Sequence, residues 1–231
     1  MFSCKRFSAL FTLGLALFLA GCQSAPNCPM PVTQPTSQGW EKEIAAFEAR
    51  DKTNAPPRHG ILFIGSSSIR FWTNLVHDFS DKPVFNRGFG GSQIIDSVHF
   101  ADRIVFPYKP KTIVMYAGGN DLNAKKPAEQ VFADFKLFVE TVRCRLPKTR
   151  IIFISSAPNP SRWTQIEQVR KANQLIRTFI ETGSNMAYID VHPAMLGSDG
   201  KPKPDIYRAD GLHMNEKGYV LWKQVVGPYL K

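Results

Sequence analysis

Apolar and polar positions fall into alternating blocks along this chain, and the blocks outline a fold. Residues 60–64 (GILFI) are short, apolar and closed by Gly65, so they read as a strand buried on both faces. Residues 84–86, 112–117 (TIVMYA), 150–155 (RIIFIS) and 187–191 (AYIDV) repeat the signal. Between them the apolar period becomes helical. Ile94, Ile95, Val98, Ile104 and Val105 mark one helix. Val131, Phe132, Phe135, Phe138, Val139 and Val142 mark a second behind Pro127. Ile166, Val169, Ala172, Asn173, Ile176 and Ile180 mark a third, ended by Gly183. A last helix is predicted over 215–226, and a short helix with a lead-in over 41–58. Strands apolar throughout and separated by helices imply a parallel sheet covered on both faces. Right-handed crossovers make this an α/β fold, a three-layer α/β/α sandwich around five parallel strands.

The first 40 residues follow other rules. Lys5 and Arg6 precede an apolar run over 11–20 that is too short to span a bilayer comfortably, which is the pattern of a signal peptide. The run ends Leu19-Ala20-Gly21-Cys22, similar to a bacterial lipobox, in which the cysteine is diacylated and becomes the mature N-terminus. Gln23 follows where the inner-membrane class carries Asp, so the resemblance implies a lipoprotein of the outer membrane facing the periplasm. Residues 23–40 are rich in Pro, Ser, Thr and Gln and read as a tether. The expected organisation is a leader over 1–21, a lipidated tether over 22–40 and one domain over 41–231.

The formal charge is +10, or about +8 without Lys5 and Arg6. The basic residues, Lys109, Lys111, Arg145 and Lys148 among them, do not form a block interleaved with aromatics, which argues against nucleic acid. Attraction to anionic headgroups or glycans is the milder reading. Cys28 and Cys144 can pair after export; the alternative is a buried thiol at 144 and a free one at 28. No Cys/His cluster suggests a metal, and no cofactor is expected.

Four loop motifs carry the candidate chemistry. Gly65-Ser66-Ser67-Ser68 follows the first strand and opens a helix, placing a hydroxyl near backbone N–H groups that favour an anion. Asn86-Arg87-Gly88-Phe89-Gly90-Gly91 follows the second, and glycine lets a backbone amide approach a ligand closely. Gly118-Gly119-Asn120-Asp121 follows the third, offering a side-chain amide donor. Asp210-Gly211-Leu212-His213 precedes the last helix and puts an acid and a base within one turn. Open α/β sheets bind ligands at this edge.

Together these motifs resemble the SGNH (GDSL-like) hydrolases, a family of esterases and lipases, over about residues 58–230. The resemblance implies strand order 2-1-3-4-5. It places the nucleophile at Ser67, two after Gly65, although Ser66 stands where the family has Asp. It makes His213 the general base and Asp210 its orienting acid, within a block ending Asn215, Gly218 and Tyr219. The oxyanion donors become the amides of Ser67 and Gly91, with Gly90 an alternative to Gly91, and the side chain of Asn120. Asp121 is expected to cap or fix its loop, and Asp190 and His192 to be structural or to line the pocket.

The expected function is serine esterase, with an acyltransferase or a non-catalytic glycan- or partner-binding lipoprotein as alternatives. Short motif-to-motif spacings leave no room for a long lid, which suits short acyl groups on glycans or lysophospholipids. Arg162 or Trp163, after the fourth strand, is expected to touch substrate, unless that Pro-rich segment is an ordinary surface loop.

Overall fold

The computed structural model describes residues 28–30, 32 and 35–231. Cys22 and the leader lie outside the described residues. Five strands form one parallel sheet: β1 (Ile61–Gly65), β2 (Val84–Gly88), β3 (Thr112–Tyr116), β4 (Arg150–Ile154) and β5 (Met186–Ile189). Their order is β2-β1-β3-β4-β5. Period-two alternation divides each strand between two cores. Leu62, Ile64, Ile113, Met115, Ile151 and Phe153 face one side, and Ile61, Phe63, Val114, Ile152 and Ile154 the other.

The first core is covered by α1 (Glu41–Asp51) and by the paired long helices further along the chain. The second is covered by the short helices α2 (Ser67–Arg70) and α3 (Leu75–Asp78) and by the C-terminal helix. The helix expected across 94–105 is two pieces, α4 (Ile94–His99) and α5 (Ala101–Ile104), broken at Phe100, whose buried ring packs edge-on against Phe89. Next come α6 (Gly119–Asn123), α7 (Ala128–Arg145) and α8 (Ile166–Thr182). The chain ends with α9 (His192–Met195) and α10 (Glu216–Val226). Trp72, Phe79, Tyr219 and Trp222 form an aromatic cluster under β1 and β3.

The folded body begins before residue 41. Pro35–Trp40 is a 3-10 helix, and buried Ser37 donates to Asp96 Oδ1 at 2.5 Å. Trp40 Nε1 donates to Gly90 O at 2.6 Å, and Cys28 is disulfide-bonded to Cys144 near the end of α7. Residues 35–40, too polar to fold alone, are thus ordered by docking on a surface made by the rest of the chain.

Register is what positions the functional edge. Gly65 pairs with Gly88 on one side and Tyr116 on the other, so β1, β2 and β3 end at one level. Gly65 has φ +135°, and a Cβ there would lie 1.9 Å from Tyr116 O. Gly65→Ala should destabilise the protein by at least about 3 kcal/mol in urea unfolding, combining backbone strain with overpacking. Gly39→Ala, where a Cβ meets nothing within 4 Å among the described residues, should stay within about 0.5 kcal/mol.

Candidate active site

Ser66 leaves β1 in an extended conformation and Ser67 begins α2. Ser66 and Ser68 are buried, whereas Ser67 is half-exposed. Its Oγ lies 3.0 Å from His213 Nε2. His213 Nδ1 lies 2.7 Å from Asp210 Oδ2. A carboxylate only accepts, so this contact puts the imidazole proton on Nδ1 and leaves Nε2 as the acceptor facing Ser67. Among the described residues Ser67, His213 and Asp210 thus form one hydrogen-bonded chain across 146 residues of sequence.

Asp210 is held by more than the imidazole. Its Oδ1 accepts the backbone N–H groups of His213 and Leu212, each at 2.9 Å. The His213 N–H, then the His213 ring, then the Leu212 N–H hold its carboxyl down at about 2, although the side chain is nearly half exposed. It is an anion at any pH where the protein would work. The His213 ring packs edge-on against Phe71 at 4.9 Å, and the Arg208 guanidinium lies over the Phe71 ring, 4.7 Å from its centroid. Nothing in the periodicity around Phe71 signalled this contact.

Asn120, in the first turn of α6, is gripped at both ends of its amide. Its Nδ2 donates to Ser92 O at 3.0 Å, and its Oδ1 accepts from Arg162 Nη1 at 3.1 Å. Arg162 Nη1 also donates to Gly119 O at 3.0 Å. The guanidinium therefore dictates which way the amide faces, and burial disfavours its charge. Ser67, His213, Asn120 and Arg162 line one recess of about 30 Å³, with Tyr116, Ser156 and Gln165 beside them. Gly91 and Trp163 are not among its lining residues. Gly91 is exposed, with φ +81°, on the loop whose Ser92 carbonyl Asn120 holds.

Behind the recess stands a polar shelf. Asn173, at an apolar-spaced position of α8, is buried, accepts from Ser156 N and donates to Ser156 O. His192 Nε2 lies 2.7 Å from the same carbonyl, so its role is structural. A polar residue on an otherwise apolar helical stripe was the available signal for Asn173. Asp121 does fix its loop: its carboxylate accepts Ile94 N–H, tying α6 to the start of α4.

The GDSL-like Lipase/Acylhydrolase family model matches residues 60–221. The chain belongs to that family. As a GDSL-like acylhydrolase it is a carboxylic ester hydrolase. The chain is similar to platelet-activating factor acetylhydrolase IB subunit alpha1 of Bos taurus, 28% identical over 218 residues covering 87% of each chain. The alpha2 subunit of Rattus norvegicus is 28% identical over 192 residues, 78% of each. Among solved structures, a GDSL-like lipase from Bacteroides thetaiotaomicron superposes with TM-score 0.66 at 17% identity, over 84% of this chain and 96% of that one. A carbohydrate esterase family 3 protein from Talaromyces cellulolyticus gives TM-score 0.60 at 18% identity, over 74% and 95%. These two share the acylhydrolase fold.

Asp121 gives the site a measurable pH signature. Burial raises its carboxyl from the ordinary 3.8 to about 6, against the attraction of Lys126. A raised folded-state value means that this group favours the folded protein most below about pH 4. That contribution is lost as pH rises through about 6 and is flat above. The difference in urea midpoint between wild type and Asp121→Asn should therefore change between pH 4 and 6 and stay constant from 7 to 8. A difference that is flat across the whole range would contradict the assignment.

Proposed function

We propose that this acylhydrolase is a serine esterase for short-acyl esters, acetyl esters foremost, carried on glycans or lysophospholipid-like lipids. It is anchored in the bacterial envelope, at the outer membrane facing the periplasm, by lipid on Cys22. The observation that carries the catalytic reading is the Asp210–His213–Ser67 hydrogen-bonded chain at the recess. His213 takes the Ser67 proton as Oγ attacks the ester carbonyl, and then protonates the departing alcohol. Asp210 fixes the tautomer and stabilises the imidazolium. The amides of Ser67 and Gly91 and the Nδ2 of Asn120 hold the tetrahedral oxyanion. Water, activated by the same histidine, then releases the acid from Ser67.

Two observations support short acyl groups. A recess of about 30 Å³ holds little more than one or two water-sized groups. Similarity to an acetylhydrolase subunit supports acetyl esters. The lipid anchor is supported by the Leu19-Ala20-Gly21-Cys22 motif behind an apolar run.

A fluorophosphonate probe should label Ser67, located by mass spectrometry, and Ser67→Ala should lose both the adduct and esterase activity. An adduct on Ser66 or Ser68 would refute the assignment. Asn120→Ala should lower kcat by about 10²–10³-fold. Arg162→Met should lower kcat more than it raises KM, because Arg162 acts by orienting Asn120. In an Asn120→Ala background the Arg162 effect should vanish; if it persists as a KM increase, Arg162 touches the substrate directly.

A further inference from the structure

The disulfide does more than tie down the N-terminal segment: it selects the end of the domain from which any anchor leaves. Helix α7 runs from the catalytic edge of the sheet to the opposite edge. Near its start, Val131 lies 3.2 Å from where a Cβ on Gly118 would stand. Cys144 is thirteen residues further on, about 20 Å along the axis. Beside it, Arg143 holds the carbonyls of Ser184 and Asn185, at the entry to β5. The Cys28–Cys144 bond, with Cα atoms 5.5 Å apart, therefore fastens the chain at the N-terminal edge of the sheet, away from Ser67.

Cys22 lies six positions before Cys28, at most about 21 Å of chain in any conformation. A domain of this size is about 40 Å across, so the path over its surface from that edge to the cleft is about 60 Å. A lipid on Cys22 cannot reach the cleft side while the disulfide is closed. Without the disulfide, the next fixed points are the Val32 carbonyl, 2.7 Å from His99 Nδ1, and then Ser37 and Trp40. Trp40 sits at Gly90, on the cleft side.

Charge distribution points the same way. The five segments leading into the strands (52–60, 79–83, 105–111, 146–149 and 183–185) contain six Lys or Arg and one acidic residue, Asp81, which Lys82 pairs. Arg58, Lys109, Lys111 and Lys148 are exposed there and make no ion pair among the described residues. Residues scattered in sequence are thus gathered at one edge. The segments leaving the strands (66–74, 89–93, 117–127, 155–165 and 190–215) are nearly balanced, with seven basic and five acidic residues.

We propose that the oxidised domain stands on an anionic membrane surface through this basic edge, with the cleft opening away from the lipid. Its esters then arrive from the aqueous side, which favours acylated glycans over lipids of the membrane that holds the anchor. The inference rests on lipidation of Cys22. Basic side chains near anionic headgroups are attracted over about a Debye length, and the short leash keeps this edge within that range.

The test uses the full chain, made with its own leader and reconstituted in vesicles of phosphatidylethanolamine and phosphatidylglycerol. Photoreactive benzoylphenylalanine replaces Lys111 or Lys148 at the basic edge, or Arg208 beside the cleft. Lipid adducts should form several-fold more at 111 and 148 than at 208. Equal or greater adduct at 208 overturns the orientation. In Cys28→Ser/Cys144→Ser the bias should shrink, with hydrolysis of p-nitrophenyl acetate reporting that the variant is folded; an unchanged bias in an active variant removes the disulfide from the explanation. Should that variant fail to fold, the bias in the oxidised chain decides alone. The mass of the N-terminal peptide separates the two layers: no acyl chains on Cys22 defeats the anchor itself, whereas acylated protein cross-linking through 208 defeats only the orientation.

Discussion

Everything at the edge that carries Ser67 and Asn120 depends on the place where β1 stops. Gly65 lies against the Tyr116 carbonyl with no room for a side chain, and its own carbonyl accepts Phe89 N–H at 2.9 Å. Three parallel strands therefore end in step, and the loops carrying Ser67, Gly91 and Asn120 start from one level. Catalytic groups must be held to within about half an ångström, which rigid strand ends provide and free loops do not. His213 comes from outside the sheet, just before α10, whose Tyr219 donates to Ser68 O in the turn that bears Ser67.

The electrostatics divide between an anion that is fixed and a cation that pairs with no carboxylate among the described residues. Asp210 owes its low value to N–H donors rather than to burial. An anion built from backbone geometry survives exposure to solvent, where a Coulombic partner would be screened. Arg162 is the converse: its charge is half-buried and spent on two oxygens, those of Gly119 and Asn120. That arrangement makes sense when the amide it holds has one useful orientation and one useless one.

Most of the fold was legible because buried parallel strands are apolar at every position. Residues 60–64 and 112–117 announced themselves, and Asp210 and His213 share a single turn that spacing alone exposes. What stayed hidden depended on contacts between distant segments. The break at Phe100 comes from packing on Phe89, and the docking of Pro35–Trp40 comes from Asp96 and Gly90, neither visible in a Pro- and Ser-rich composition. Arg162 was readable as a residue near the cleft but not as one gripping Asn120, because the two are 42 positions apart. The Cys28–Cys144 bond could be named from the sequence only as one of two outcomes.

The same disulfide divides the chain in another sense. It closes a covalent loop over residues 28–144, which holds Ser67, Gly91 and Asn120. Arg162, Asp210 and His213 lie on the open arm beyond it. Cross-linking restricts the unfolded ensemble of the loop and leaves that of the arm free. Partial opening should therefore begin in the arm, parting His213 from Ser67 while β1, β2 and β3 stay paired. Loss of the Ser67–His213 contact would then precede separation of β1, β2 and β3, and reclosing the arm alone would restore it.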